Sequence, residues 1–256
     1  MTKPVCLVIG AGAGIGGNVA KKFAVEGYHA HLCRRSDEAG LNDLVDQITA
    51  RGGAATGQIL NAIEDGSIEN LVAEVEDTIG PIEVAVYNLG AQIGDRSLSQ
   101  TSHKTFERCW RLGTFGLYRL AHALTPRMEK RGQGKILVTS ATSAVRGNKG
   151  QHGHAAAMGG RRMLCQSLNA EFAAKGIHVA HILIDGAVDA PDTLGKLIGK
   201  ELFEELRETL GGKHDGLMLP EKIAETYFHI ASQHRSVWTH ELDLRAYSDT
   251  AWWNHG

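Results

Sequence analysis

The sequence predicts a doubly wound α/β domain, in which a parallel sheet carries helices on both faces. Short apolar runs alternate with longer segments of helical period along the whole chain. The apolar runs are continuous rather than alternating, which is typical of strands that are buried on both faces. No linker or shift of composition divides the 256 residues. We therefore expect a single domain over residues 1–256.

Each element is predicted from its own pattern, in chain order. Continuous apolar runs indicate strands at Val5–Ile9, His29–Cys33, Ala55–Leu60, Val84–Asn88, Lys135–Thr139, Val179–Ile184 and Glu241–Arg245. Amphipathic periodicity indicates helices at Gly17–Glu26, Leu41–Arg51, Ile68–Thr78, Thr105–Arg131, Ala155–Ala174 and Glu221–Ser232. Glycine-rich exits mark the connections between them. The least regular segment, 185–216, follows a late strand, where ligands bind in such sheets, so we expect it to cover a substrate.

Composition and charge exclude several classes of function. The 27 basic and 29 acidic residues give a net charge of −2, which offers no field for nucleic acid or anionic lipid. No apolar run approaches the ~20 residues that span a bilayer, and the first residues do not form a secretory signal. Cys6 and Cys33 fall inside apolar runs, which indicates buried thiols in a reducing compartment. We expect a cytoplasmic protein without a nucleic-acid or membrane partner.

A glycine-rich turn follows the first strand. Val5–Ile9 leads directly into Gly10-Ala11-Gly12-Ala13-Gly14-Ile15-Gly16, and a predicted helix comes next. Glycines let backbone N–H groups and the helix N-terminus approach a pyrophosphate closely. A structural loop can have the same composition, but the strand–turn–helix context favours dinucleotide binding.

The end of the second strand bears on the choice of dinucleotide. An acidic residue there would bond the ribose hydroxyls and repel a 2′-phosphate. The sequence instead has Arg34 and Arg35, whose guanidinium groups suit a phosphate dianion. Two solvated arginines opening a loop are the alternative. The pattern favours NADP(H) over NAD(H).

Three segments together resemble the classical short-chain dehydrogenase/reductases. They are the Ile9–Gly16 turn, Tyr87-Asn88-Leu89-Gly90, and Gly147-Asn148-Lys149-Gly150-Gln151. The likeness runs from about Val5 to Leu244. It implies a single-domain Rossmann-type fold with a seven-stranded parallel sheet, a nicotinamide dinucleotide, a small-molecule substrate and a homodimer or homotetramer. The resemblance implies cofactor contacts at the pyrophosphate from Gly10, Gly14, Ile15 and Gly16, near the adenine from Asn61, and beside a ribose from Asn88 and Gly90. Gly12 belongs to the same glycine turn, and we include it among the expected cofactor-binding residues.

The catalytic residues of that family do not carry over to this chain. In the register of the resemblance, the family's tyrosine falls at His154 and its lysine at Met158. A different register does not restore the pair, because residues 140–171 contain no tyrosine. The family's serine falls at Ala141 and its asparagine at Gly113. We describe the chain as an atypical member that lacks this tetrad.

Two functions remain open. In the first, the protein is an oxidoreductase that reduces a carbonyl or oxidises an alcohol through a different proton path. His154 is then the candidate acid or base, because an unperturbed histidine has a pKa near 6.5, and Tyr87 is the alternative. In the second, the protein is an inactive NADP(H)- or ligand-binding sensor or scaffold.

Three further features are given structural interpretations. His152 and His154 have no third ligand at a matching spacing, so no metal site is predicted. Arg161 and Arg162 open the second half of a long helix, and we expect them at the surface or in a subunit contact. The aromatic tail at 246–256, with Trp252 and Trp253, is expected to contact another subunit or to close over a cleft.

Overall fold

A parallel sheet positions every element of the protein. The computed structural model describes residues 3–90, 92, 94, 96–211 and 215–254. Within these residues the seven strands pair in the order β3-β2-β1-β4-β5-β6-β7. They are β1 (Val5–Ile9), β2 (His29–Arg34), β3 (Ala54–Ile59), β4 (Ile82–Tyr87), β5 (Gly134–Ala141), β6 (Ile177–Ile184) and β7 (Glu241–Leu244). The strand order reverses between β1 and β4, and a ligand crevice opens there beyond the carboxyl ends of the strands.

Helices cover both faces of the sheet. They are α1 (Ile15–Val25), α2 (Glu38–Thr49), α3 (Ser67–Thr78), α4 (His103–Trp110), α5 (Gly116–Arg131), α6 (His152–Phe172), α7 (Lys196–Ile198), α8 (Lys200–Leu210) and α9 (Pro220–Ala231). Helices α3, α5 and α6 pack on one face, and α1, α2 and α9 pack on the other. The predicted doubly wound, seven-stranded parallel sheet is confirmed.

Strand β1 explains why the apolar runs are continuous. Val5, Leu7 and Ile9 contribute to the core under one helical layer, while Cys6 and Val8 contribute to the core under the other. Both faces of the strand are therefore buried, and neither can carry polar side chains without cost. The prediction of buried thiols at Cys6 and Cys33 is confirmed.

The prediction of one helix over Thr105–Arg131 is wrong. A π-helical turn at Arg111–Phe115 separates α4 from α5. The Tyr87 hydroxyl donates a 2.6 Å hydrogen bond to the Leu112 carbonyl, and the close approach of this hydroxyl leaves no room for a side chain at Gly116. Such π-turns occur frequently at functional sites. This one lies beside the crevice.

The segment after β6 and the chain end both pack near the carboxyl ends of the strands. The Trp252 N–H donates to the Asp185 carboxylate at 3.1 Å, and its carbonyl accepts from Arg146 at 3.1 Å. These contacts hold the described tail on its own chain, and a subunit contact for 246–256 remains a prediction. Residues 212–214 of the predicted covering segment and 255–256 of the tail lie outside the described residues. Among the described residues, no helix has the length and apolarity of a membrane span.

Candidate functional site

The glycine turn has the geometry of a cradle for a ligand. Gly10 has a φ of +99°, and a Cβ there would lie 2.7 Å from the Asn88 carbonyl oxygen. The Asn88 side-chain amide donates to the Gly10 carbonyl at 2.9 Å, which braces the turn against β4. No described side chain caps the N-terminus of α1. Its first N–H groups are therefore available to an anion.

All ten predicted cofactor residues line one cavity of about 460 Å³. This glycine-turn cavity is lined by Gly10, Gly12, Gly14, Ile15, Gly16, Arg34, Arg35, Asn61, Asn88 and Gly90. A cavity of this size, with glycines at the strand–helix turn and polar groups beyond it, fits a dinucleotide. Four residues that the sequence pattern does not indicate also line this cavity: Asp37, Asp192, Thr193 and Lys196.

The two arginines after β2 have different environments. Arg34 forms an ion pair with Asp37 at 2.9 Å, and its side chain is 14% exposed. Asp37 itself adopts a φ of +66° and caps α2 by accepting from the Gly40 N–H. Arg35 is exposed and forms no ion pair with any described residue. The charge of Arg34 is largely balanced, so Arg35 is the cation more available to a phosphate.

His154 lines a second cavity, of about 230 Å³, that continues from the first. The two share Ile15, Asn88, Leu89, Gly90 and Thr193. The other residues that line this His154 cavity are Thr139, Ser140, Ala141, His154, Met158, Arg161 and Val188. The structure thus brings His154, Ala141 and Met158 to one place. No tyrosine or lysine is found among the described residues that line it.

The ring of His154 is largely buried. The residue is 7% exposed, and its Nδ1 atom is buried without a hydrogen-bond partner among the described residues. Burial, followed by the charge of Arg161, lowers the pKa of His154 to about 4. The neutral ring is therefore the form present at neutral pH, and not the mixture of forms expected from an unperturbed histidine.

Position 158, where the resemblance implies a lysine, holds an apolar side chain. Met158 is 2% exposed, and its sulfur accepts a weak hydrogen bond from the Ser140 hydroxyl at 3.9 Å. A thioether supplies neither positive charge nor hydrogen-bond donors. At the asparagine position, a Cβ on Gly113 would lie 2.5 Å from the Ala157 Cβ. An asparagine therefore does not fit there without movement of α6.

The expectation of a surface position for Arg161 is wrong. Arg161 is 1% exposed. Its guanidinium donates to the Gly113 carbonyl at 2.6 Å, to the Leu89 carbonyl at 2.7 Å and to the Thr139 carbonyl. Backbone carbonyls, available in every sequence, satisfy the side chain, so no pattern of residue types indicates its burial. Arg162 differs, because it pairs with Glu241 at 2.7 Å and is 30% exposed.

Tyr87 is removed from the candidates for proton transfer. It is fully buried, and its hydroxyl is engaged by the Leu112 carbonyl. Burial raises its pKa to about 12.

His152 is half-buried and lines neither of the two cavities. Among the described residues, no group of three or more His, Cys, Asp or Glu side chains could hold a metal ion.

Comparison with known proteins gives consistent matches. The model of the short chain dehydrogenase family matches residues 4–196. Peroxisomal multifunctional enzyme type 2 of Mus musculus is 32% identical over 217 residues, which are 80% of this chain and 28% of that protein. The 3-oxoacyl-(acyl-carrier-protein) reductase FabG of Thermotoga maritima is 28% identical over 246 residues, which are 93% of this chain and 94% of that protein. The chain thus spans less than a third of the mouse protein.

Solved structures give the same result. A short-chain dehydrogenase from Rhodopseudomonas palustris has a TM-score of 0.78 at 30% identity, over 95% of this chain and 99% of that one. The alcohol dehydrogenase of Thermococcus sibiricus, complexed with 5-hydroxy-NADP, has a TM-score of 0.80 at 22% identity, over 96% and 98% of the two chains. At that lower identity the likeness shows the fold alone.

Proposed function

The chain belongs to the short chain dehydrogenase family, and on that premise we propose that it is an oxidoreductase that binds NADP(H) and reduces a carbonyl or oxidises an alcohol. The convergence of ten residues on the glycine-turn cavity, with the His154 cavity directly beside it, supports this proposal most. When bound, the cofactor supplies or accepts the hydride. The residues of the chain hold it, shape the adjoining cavity and exchange a proton.

NADP(H) is the proposed cofactor because of the charge beside β2. Arg35 is exposed and unpaired among the described residues, so it is free to bind a 2′-phosphate through charge-assisted hydrogen bonds. Arg34 is already paired with Asp37 and is therefore less available to the phosphate. Several solved structures with the same fold, including that of the Thermococcus sibiricus alcohol dehydrogenase, are complexes with an NADP compound, which is consistent with this choice.

His154 is the proposed proton-exchanging residue. It is the titratable ring in the cavity that adjoins the glycine turn, and its Nδ1 has no described partner. As a neutral ring, it accepts a proton from an alcohol, and as an imidazolium it returns a proton to the product of carbonyl reduction. The low pKa of the ring favours the neutral form.

A ligand-binding protein without turnover is the second candidate. The observation that favours it is the replacement of a lysine by Met158, in a cavity that among its described residues offers no phenol and no amine. In that case the chain would bind NADP(H) in the same cavity and act as a sensor or scaffold.

Titration with NADPH and NADH, followed by a turnover screen, separates the two candidates. The screen covers carbonyls and alcohols, with a 3-oxoacyl thioester first because a 3-oxoacyl reductase is among the relatives. Binding with turnover supports the oxidoreductase. Binding without turnover, over a wide panel and pH range, supports the sensor or scaffold. Absence of dinucleotide binding would contradict both.

Self-association in the cytoplasm completes the proposal. Phe106 and Trp110 on α4 and Tyr118 on α5 are each more than 40% exposed. The Trp110 and Phe115 rings stack at 5.1 Å, and the Phe115 and Tyr118 rings at 6.1 Å. An exposed aromatic patch of this kind supports a homodimer or homotetramer. Sedimentation at micromolar concentration tests it, and a monomer would contradict it.

A further inference from the structure

Arg161 is a buried cation whose charge is not balanced by an anion. None of the described carboxylates lies within ion-pair distance of its guanidinium. Burying a charge costs several kcal/mol unless it is paired or strongly hydrogen-bonded. Here three backbone carbonyls accept from it. These carbonyl dipoles offset part of the cost of burial. Burial lowers the pKa of Arg161, but a guanidinium keeps its positive charge at neutral pH.

The neighbours of Arg161 do not neutralise it. The titratable groups that face the guanidinium or feel its charge are Tyr87 from β4, Cys165 and His154 from α6, His181 from β6 and Tyr227 from α9. Burial raises the pKa of the tyrosines and the thiol and lowers that of the two histidines to about 4. All five are therefore uncharged at neutral pH.

The position of this charge relates it to the site. Residues 154, 158 and 161 are separated by four and then three positions, so they follow one face of α6. Arg161 lines the His154 cavity together with His154 and Met158. The charge that the resemblance implies at 158 is thus found one helical turn further along the same face.

The three carbonyls come from three different segments of the cavity wall. Leu89 follows β4, Gly113 lies in the π-helical turn between α4 and α5, and Thr139 lies near the end of β5. The Tyr87 ring lies under the guanidinium, with 5.2 Å between the ring centroid and Cζ. One side chain therefore ties these segments together around a fixed charge.

We propose that Arg161 is the fixed cation of this site: it positions the three carbonyl-bearing segments of the cavity wall and presents its charge to the His154 ring and to a ligand oxygen bound beside that ring. A positive charge held in a low-dielectric cavity stabilises negative charge that develops on such an oxygen. This second part rests on the proposed function. Arg161 is a positioning residue: its electrostatic field acts on the His154 ring, and its hydrogen bonds hold the three segments of the cavity wall.

The test compares Arg161→Gln with Arg161→Lys. Glutamine keeps a hydrogen-bond donor without charge, and lysine keeps the charge with different donor geometry. The readout is the NMR titration of the His154 ring in the protein without substrate, with the signal assigned by its loss in His154→Phe. We expect the ring to titrate at higher pH in Arg161→Gln than in the wild type, and Arg161→Lys to remain close to the wild type.

Arg131→Gln is the matched control. Arg131 also binds a backbone carbonyl, that of Ile82 at the amino end of β4, and pairs with Glu76 at 2.7 Å. This change should lower thermal stability without moving the His154 titration. Equal titration in Arg161→Gln, Arg161→Lys and the wild type would overturn the proposal. If neither Arg161 variant folds, the wild-type titration decides: a His154 ring that titrates at its ordinary pKa of about 6.5 would overturn the proposal, since the ring would then feel no neighbouring charge.

The titration does not depend on turnover, so the two proposals fail separately. If the wild type turns over a substrate, Arg161→Gln should lower kcat on the order of 10²-fold, with less effect on KM, and Arg161→Lys should recover part of the loss. A shifted His154 titration without any turnover would support the proposal that Arg161 is the fixed cation and would contradict the proposal that the protein is an oxidoreductase. Turnover with an unshifted titration would do the reverse.

Discussion

The protonation of His154 should make carbonyl reduction depend steeply on pH. If the ring gives its proton to the substrate oxygen, only the imidazolium is active in reduction. With a pKa of about 4, the protonated fraction is about 0.1% at pH 7 and roughly 9% at pH 5. We therefore expect kcat/KM for reduction to rise roughly 90-fold between pH 7 and pH 5. An unperturbed histidine, with a pKa near 6.5, would give a rise of only about fourfold.

The oxidation direction should behave differently, because it needs the neutral ring. At pH 5 roughly 90% of the ring is already neutral, so kcat/KM for alcohol oxidation should be nearly constant from pH 5 to pH 8. The assay is the initial rate of NADPH consumption or formation in buffers of constant ionic strength. Circular dichroism at each pH establishes that the protein remains folded.

His154→Phe is the decisive variant, and His152→Gln is its control. Phenylalanine keeps a planar ring but removes both nitrogens, so it should abolish the pH dependence and lower the rate by about 10²–10⁴. His152 is two residues away and lines neither cavity, so its replacement should leave the profile unchanged. If His154→Phe has an unchanged rate and profile with normal NADPH affinity, His154 is not the proton-exchanging residue. A fourfold profile centred near pH 6.5 would show that the buried environment is lost in the working enzyme.

Three further changes test other parts of the structure. Arg35→Asp should weaken NADPH binding about 10- to 150-fold, since one charge-assisted hydrogen bond, worth about 1.5–3 kcal/mol, is lost. NADH binding should change much less in a fluorescence titration, and equal losses would contradict a 2′-phosphate contact. Burial lowers the pKa of His31 to about 4, so the unfolded chain binds more protons between pH 6.5 and pH 4 and stability falls with pH in that window. The free energy of unfolding, measured in urea, should therefore fall by about 2 kcal/mol less in His31→Gln than in the wild type between pH 7.5 and pH 5. The same change at the exposed His103 should not have this effect. Met158→Lys places a second cation one turn from Arg161 and should lower the melting temperature clearly, whereas Met158→Leu should leave it nearly unchanged; a stable lysine variant would show that the cavity accepts another charge.

Much of the cofactor region could be predicted from the sequence for a topological reason. In a parallel sheet every strand ends at the same edge, so the residues after β1, β2 and β4 must meet there. The glycine turn and Arg35 are predicted from their place after a strand, whereas Asn88 is implied by the family resemblance. Asp37 was missed because its approach to Arg34 depends on a left-handed backbone conformation at its own position, which an aspartate permits but does not require.

The chemistry of the His154 cavity could not be predicted in the same way. A histidine at 154 indicates a titratable ring, but its pKa depends on burial and on a charge seven residues away. Arginine is rarely buried without a partner, so composition argues for a surface position at Arg161. The π-helical turn adds a residue to a helix without breaking its periodic pattern enough to be seen. For Arg161, and for the Tyr87 hydroxyl at the π-helical turn, the contacts are with backbone carbonyls, which side-chain patterns do not encode.

The departures from the family tetrad form one packed unit and are not independent losses. Glycine at 113 lets α6 approach so closely that a Cβ would meet the Ala157 side chain. The same glycine offers its carbonyl to Arg161, and the Thr114 hydroxyl beside it donates to the Ala157 carbonyl at 2.7 Å. A lysine at Met158 would then face the Arg161 charge from the preceding turn. The buried guanidinium of Arg161 bonds each of its three nitrogens to a backbone carbonyl, and one of these carbonyls belongs to Gly113. These shared contacts are the physical reason to regard the cavity as built around the Arg161 cation.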